Sequence, residues 1–441
     1  MGSLQSPNTA TLTHVDESDY PSPIGNVPSE VLSHIFVLCS CDYSVPLLYR
    51  RWDVPHQVTI SHVCSRWRQV ALSTGALWSN VRISEFQSKY THCLFLYQTW
   101  VGRACDYPLT LTLTFSGSGS NLYKFFLDFV VPFRIKVLHM TLPSDRLFDL
   151  PPLDVEEFAI DVTNFLMGGD SRIPPFMERT RRICIWSLGL RSVPSAFGER
   201  IKALSLSWHQ LRSFECHSHL VSLSTWLDIL HQAQTLQSLE RCRLTISEVG
   251  SGPLIGVCMP NLRWFALSLL GPIHPDSAIP LFAAPNITTL GISSPDHWSS
   301  NTYDIIARHY KLHQLQHIWI HAAQFPLRIA QILTDAPMIH NLKVLGKPVL
   351  DAETQKDIAS GRLGRCLTSL HINGCLDSAE QWLDMIRSRQ MNVNSMITHV
   401  SNWRELFTGI KSVEFWDVYN TRGHKERVAA LEALGITIRL R

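Results

Sequence analysis

Apolar residues fall at helical spacing in two short N-terminal segments, then give way to a strand-like pattern that recurs to the end of the chain. In "VPSEVLSHIFVLC" (27–39), turning 100° per residue spreads Val31, Leu32, Ile35, Phe36, Leu38 and Cys39 over roughly 160° of a helix. A surface helix ordinarily carries an apolar stripe of about 100°. Pro28 suits a first helical turn, where its missing N–H has no partner to lose, and Glu30 complements the positive end of the helix dipole. A second helix is expected from about Thr59 to Ser73. It sets Ile60, Val63, Cys64, Trp67, Val70 and Ala71 within about 120°, while Leu72 adds apolar surface on the polar side. Gly75 reads as the left-handed residue that ends this helix. Pro46 and Pro55 break the connection between the two, and residues 1–23, rich in Ser, Thr, Pro and Asp, read as a disordered lead-in. A unit of about fifty residues buries too little surface to hide two such faces. The excess must be covered by the rest of the chain or by another protein, and the pattern leaves both open.

From Trp78 onward a unit of apolar, two any, apolar, one any, apolar begins at Trp78, Pro108, Ile135, Val155, Thr180, Leu211, Leu239, Leu262, Ile287, Leu315, Ile339, Leu367, Ile410 and Ala433, with Pro108 and Thr180 imperfect fits. Single matches arise by chance in so apolar a chain. The spacing carries the weight: apart from one interval of about 43, the starts lie roughly 20 to 31 residues apart, near a leucine-rich-repeat length. "IKALSLSW" (201–208) fits the unit but lies too close to Leu211 for a full repeat, and the long interval is expected to hold an insertion containing "SNWREL". Between starts, "STWLDILHQA", "NTYDIIARHY", "PLRIAQILTDAP" and "SAEQWLDMIRSR" carry helical spacing, the first behind a possible Ser224 cap. Such strand-then-helix units bury their apolar sides only by stacking on one another. The expected fold is therefore α/β: a small N-terminal helical module, then a solenoid, or horseshoe, with strands on the inner face.

The N-terminal residues resemble a known family. Val27-Pro28, Glu30-Val31-Leu32, Ile35-Phe36, Ser61-His62-Val63-Cys64, Arg66-Trp67 and Leu77-Trp78 together look like an F-box, in the form common among fungal F-box proteins, over residues 24–81. The connection between the helices is longer than usual, and Gly75 stands where the family more often has proline. Residues 82–441 resemble the leucine-rich-repeat arrays often found behind an F-box. The match is degenerate, because the Asn or Cys of the repeat is mostly absent, Cys375 being an exception. A less regular α/β domain is the alternative.

The resemblance implies docking on a Skp-type adaptor and, through it, on cullin and RING subunits of a ubiquitin ligase. Carried over by position, the adaptor-binding candidates are Val27, Pro28, Val31, Leu32, Ile35, Phe36, Val63, Trp67 and Leu72. The array would select a protein target. On the inner face of a horseshoe, the third, fifth and seventh positions of each unit offer Arg182, Trp186, Arg241, Arg243, Trp264, His317, Trp319, His321, Lys343, His371 and Trp416 as target-binding candidates. The competing reading is a scaffold without a ligase, its F-box-like helices packed internally.

Composition removes other classes. Of 441 residues 45% are hydrophobic, and 39 basic against 37 acidic side chains leave a net charge of +2, so no concentrated basic stripe suits a nucleic acid. No charged-then-apolar leader and no long uninterrupted apolar run appear, which points to a cytoplasmic or nuclear protein without membrane attachment. Eleven cysteines lie without zinc-finger spacing. In "CHSH" (216–219) the alternation of a strand would turn Cys216 and His217 to opposite faces, so no metal is expected. There is no phosphate-binding Gly-x-x-x-x-Gly-Lys loop, Gly-x-Ser-x-Gly elbow or His-Glu-x-x-His helix. No cofactor and no catalytic residue are expected.

Overall fold

The computed structural model describes residues 23–40, 56–84, 91–114, 124, 126–143, 155–164, 180–186, 210–217, 221–232, 238–373, 379–399, 408–416 and 425–440. Four helices come first: α1 (Ser29–Ser40), α2 (His56–Ser61), α3 (Ser65–Ser73) and α4 (Gly75–Trp78). The single helix expected over Thr59–Ser73 is thus two. The chain turns at His62–Cys64, where the Cys64 Sγ accepts from the Trp67 N–H and caps α3, while Arg68 Nε donates to the Ser61 carbonyl at the end of α2. Gly75 also corrects its expectation. It is not left-handed but opens α4, and an added Cβ would lie 2.6 Å from the Ala104 carbonyl oxygen. The glycine is required by close packing against the helix Thr91–Ala104.

Among the described residues sixteen strands follow: β1 (Asn80–Ser84), β2 (Leu109–Thr114), β3 (Ile135–Pro143), β4 (Glu157–Asn164), β5 (Arg182–Trp186), β6 (Ser213–Cys216), β7 (Arg241–Ile246), β8 (Val257–Cys258), β9 (Trp264–Leu269), β10 (Phe282–Ala283), β11 (Thr289–Ser293), β12 (His317–Arg328), β13 (Asn341–Val349), β14 (Ser369–Asn373), β15 (Ser412–Trp416) and β16 (Thr437–Leu440). All but β8 and β10, which pair with each other, form one parallel sheet in chain order. Parallel neighbours need a return path, and helices such as Leu223–Gln232, Thr302–His309 and Ile329–Asp335 run between strands. The architecture is the α/β repeat expected from the spacing.

Residues alternate cleanly across the sheet. One face is apolar and sealed: Leu111, Phe214, Leu244, Phe265, Ile292, Val344 and Ile372 are all buried. The Trp226 ring, on the helix Leu223–Gln232, meets Phe214 edge-on at 5.6 Å and donates its indole N–H to the Thr245 carbonyl. That helix begins two residues earlier than a Ser224 cap would place it, and Ser222 Oγ accepts from the Thr225 N–H instead. The long interval before Ile410 contains the 21-residue helix Ala379–His399, whereas "SNWREL" and "IKALSLSW" lie outside the described residues. Arg389 on that helix is fully buried and donates to the carbonyls of Ile358, Gly364 and Thr408, clamping the insertion to the array. Burial lowers its pKa to about 10, and it stays charged.

The opposite, open face is in register from end to end. The partners Asn80, Thr110, Val137, Glu157, Arg182, Ser213, Arg241, Trp264, Thr289, His317, Asn341, Ser369, Ser412 and Thr437 run straight across the strands. These are the third positions of the units read from sequence, except at the last. There the start expected at Ala433 belongs two residues later, because Ala433 ends a helix and Gly435, with φ +83°, makes the turn into β16.

Candidate functional site: an apolar ledge and an open sheet face

The wide apolar arc of α1 divides in two. Leu32 and Phe36 point inward, and the Phe36 ring packs on Trp67 of α3 at 4.9 Å between centroids. One residue earlier on each turn, Val31, Ile35 and Leu38 form a stripe left 48%, 43% and 61% exposed. Val63, in the turn between α2 and α3, and Leu72 on α3 are exposed as well. Val27 and Trp67 are half-buried, and Pro28 is exposed. The ledge has a rigid backing. Arg66 donates to the carbonyls of Ile24 and Val27, Thr74 Oγ1 donates to Ser33 Oγ, and Trp78 Nε1 donates to the Ala71 carbonyl. Trp78 in turn packs on Trp100 at 5.7 Å beneath the Arg103 guanidinium. Burial of Leu32 and Phe36 therefore does not depend on a partner, whereas a partner could cover Val31, Ile35, Leu38, Val63 and Leu72.

Residues 24–84 match the F-box-like family. No curated protein matches the chain. The F-box-like match spans the helices that carry the ledge and ends with β1, the first strand of the sheet.

Nine of the residues expected on the inner face occupy the open side of the sheet: Arg182, Arg241, Trp264 and His317 in one row, Arg243, Trp319, Lys343 and His371 in the next, and His321 in a third, whose register positions Trp186 and Trp416 share. They are not all brought together. At the amino-terminal end, Glu157 lies beside His139 and Arg182, and Glu215 beside His217 and Arg241. The His139 and His217 hydrogen bonds are the main reason that Glu157 and Glu215 are held below the ordinary carboxylate pKa.

Cys184, Glu215 and His217 place their ligand atoms within 4.8 Å of one another. The set has the chemistry for a transition metal, but burial pushes the Cys184 thiol up to about 12, opposing the thiolate that a metal takes, and Arg241 already engages Glu215. The cluster is accounted for as an ion-paired network. As the alternation required, Cys216 and His217 face opposite ways.

The centre of the face has another character. Arg241 stacks over Trp264 at 5.0 Å, while Trp319 lies between Arg243 at 5.5 Å and Lys343 at 5.9 Å. Small neighbours make this possible: a Cβ added to Gly291 would meet the Trp319 ring at 2.6 Å, and Ala266 sits beside it. The indole thus lies flat on the sheet. Trp264, His317, Trp319, Asn341, Lys343 and His371 help to line an open depression of about 480 Å³. Burial lowers the pKa of His317 and His321, helped at His317 by His340, so both are neutral near neutral pH. Farther along, His371 Nδ1 meets a Glu414 carboxylate oxygen at 2.7 Å. Glu157, Glu215 and Glu414 were available in the same repeat frame. A criterion of aromatic and basic residues does not register them.

Proposed function

We propose that this chain is the substrate-recognition subunit of an SCF-type cullin–RING ubiquitin ligase. It binds a Skp-type adaptor through α1–α3 and a protein target through the open sheet face. The observation that carries the reading is the unsealed stripe Val31–Ile35–Leu38, lying within the F-box-like match on helices whose own core is already complete. Solvent-facing apolar stripes backed by rigid packing mark interaction sites. The chain performs no bond chemistry in this reading. It raises the effective concentration of a target beside the ubiquitin carrier held by the other subunits.

Co-purification of the full chain with a Skp-type adaptor tests this. Ile35→Asp, on the exposed stripe, is expected to weaken capture by about a hundredfold through desolvation of an unpaired charge, with unchanged thermal unfolding. The competing scaffold reading draws on the buried Phe36–Trp67 contact. It would prevail if the intact chain never captured the adaptor; full-strength capture by the combined variant Val31→Asp, Ile35→Asp would instead overturn the stripe as the docking surface.

A further inference from the structure

We propose that the target segment recognised by the centre of the open face is an anionic peptide, its acidic groups set against Arg243 and Lys343 and an apolar side chain laid on Trp264 and Trp319. This rests on the reading of that face as the target site and names the chemistry it selects.

Three observations converge. First, the inward positions of β7, β9, β11, β12 and β13 across the three rows carry Arg241, Arg243 and Lys343 but no carboxylate, the histidines among them being neutral. The carboxylates that act here lie at the margins: Glu215 on β6, which is in register with Arg243 and beside Arg241, and Asp296 near His321. Second, the cations are arranged around indole faces, which gives a planar apolar floor with positive charge on both flanks. A peptide alternating acidic and apolar side chains is complementary to such a surface. Third, Arg243 Nε and Trp319 Nε1 are buried without an acceptor among the described residues, so each keeps a donor that the protein itself does not use. At about 480 Å³ the depression holds a few side chains, not a folded domain. Asp and Glu carboxylates supply the required negative charge and make charge-assisted hydrogen bonds to Arg243 and Lys343.

The test is selection of a displayed random-peptide library on the immobilised full chain, followed by binding measurements with synthetic peptides. Selected peptides are expected to be enriched in Asp and Glu next to an aromatic or aliphatic residue. Replacing their acids with Asn and Gln should weaken binding by about tenfold or more. So should the combined Arg243→Glu, Lys343→Glu variant, with an unchanged thermal midpoint as the folding control. A phosphoserine series at the acidic positions distinguishes carboxylate from phosphate, since the tighter series identifies which acid is recognised. Selection without acidic enrichment, or indifference to charge reversal, overturns the proposal. Tighter binding of a single-stranded oligonucleotide through Arg243 and Lys343 overturns it too. If neutral peptides are selected and lost with Trp319→Ala, the face is a target site with other chemistry. If no binding responds to Trp264→Ala or Trp319→Ala, the target-site reading falls with it.

Discussion

The N-terminal helices and the repeat array use the same apolar residues to opposite ends. In the array, each buried strand residue has a neighbour before it, a neighbour after it and a helix above, so Phe265 is sealed between Phe282 and Tyr310. In α1 the equivalent sealing reaches Leu32 and Phe36 and stops. Val31, Ile35 and Leu38, one or two positions away, have no element over them among the described residues. Exposed grease is therefore a local property of one helix face, not a sign of a generally loose molecule. The contrast separates residues that hold the chain together from residues free to hold something else.

Mutation should split the two regions in opposite directions. Phe265→Ala is expected to cost about 3–5 kcal/mol of stability, the transfer loss plus an unfilled cavity, read as a fall in denaturation midpoint. The Val31→Ala and Ile35→Ala changes should each move stability by less than about 0.5 kcal/mol. If Ile35→Ala destabilised the chain as much as Phe265→Ala, the stripe would be core and the contrast would dissolve.

A smaller effect is expected where the regions meet. Gly75→Ala sets a Cβ 2.6 Å from the Ala104 carbonyl oxygen, so either α4 or the helix Thr91–Ala104 must shift, at about 1–3 kcal/mol. If the shift is transmitted through Trp78 and its Ala71 contact, hydrogen exchange should accelerate at α3 as well as at β1. Acceleration confined to the array would show the module to be mechanically independent.

The two regions were also unequally legible. Periodicity located the strands because the units bury their first, fourth and sixth residues, Pro108 and the last unit excepted, and that burial is the cause of the pattern. Register followed without further information, since parallel strands in successive units align by construction. The arc of α1 was equally visible, but an arc cannot say where the partner sits. Ile35 and Phe36 are neighbours and both apolar, and the contact of Phe36 with Trp67, on another helix, sorts them. Local turns were the least accessible. The cap at Cys64 uses sulfur, and the need for Gly75 is set by a carbonyl on the next helix. The flat seat of Trp319 on Gly291 joins units, so no single repeat shows it.

The open face has its own internal contrast, between an ion-paired amino-terminal end and a cationic centre, and Glu215 stands at the boundary. His217 first, and Arg241 next among the charges, hold its folded pKa below the ordinary value of 4.5. A group depressed in this way contributes stability above its unfolded pKa and loses it as pH falls through the lower folded value. Glu215→Gln should therefore be slightly less stable than the parent near neutral pH, by less than about 1 kcal/mol because the pair is partly solvated. The gap should close as the pH drops below about 4.5. Denaturation midpoints of the two proteins across that range check the sign. The same substitution removes the carboxylate that competes for Arg241, so it should tighten an anionic peptide at neutral pH while stability falls. Loss of stability and gain of binding from one residue would mark Glu215 as the edge of the target surface. If both fell together, the amino-terminal network would be part of the binding site, and the boundary drawn between the two halves would be misplaced.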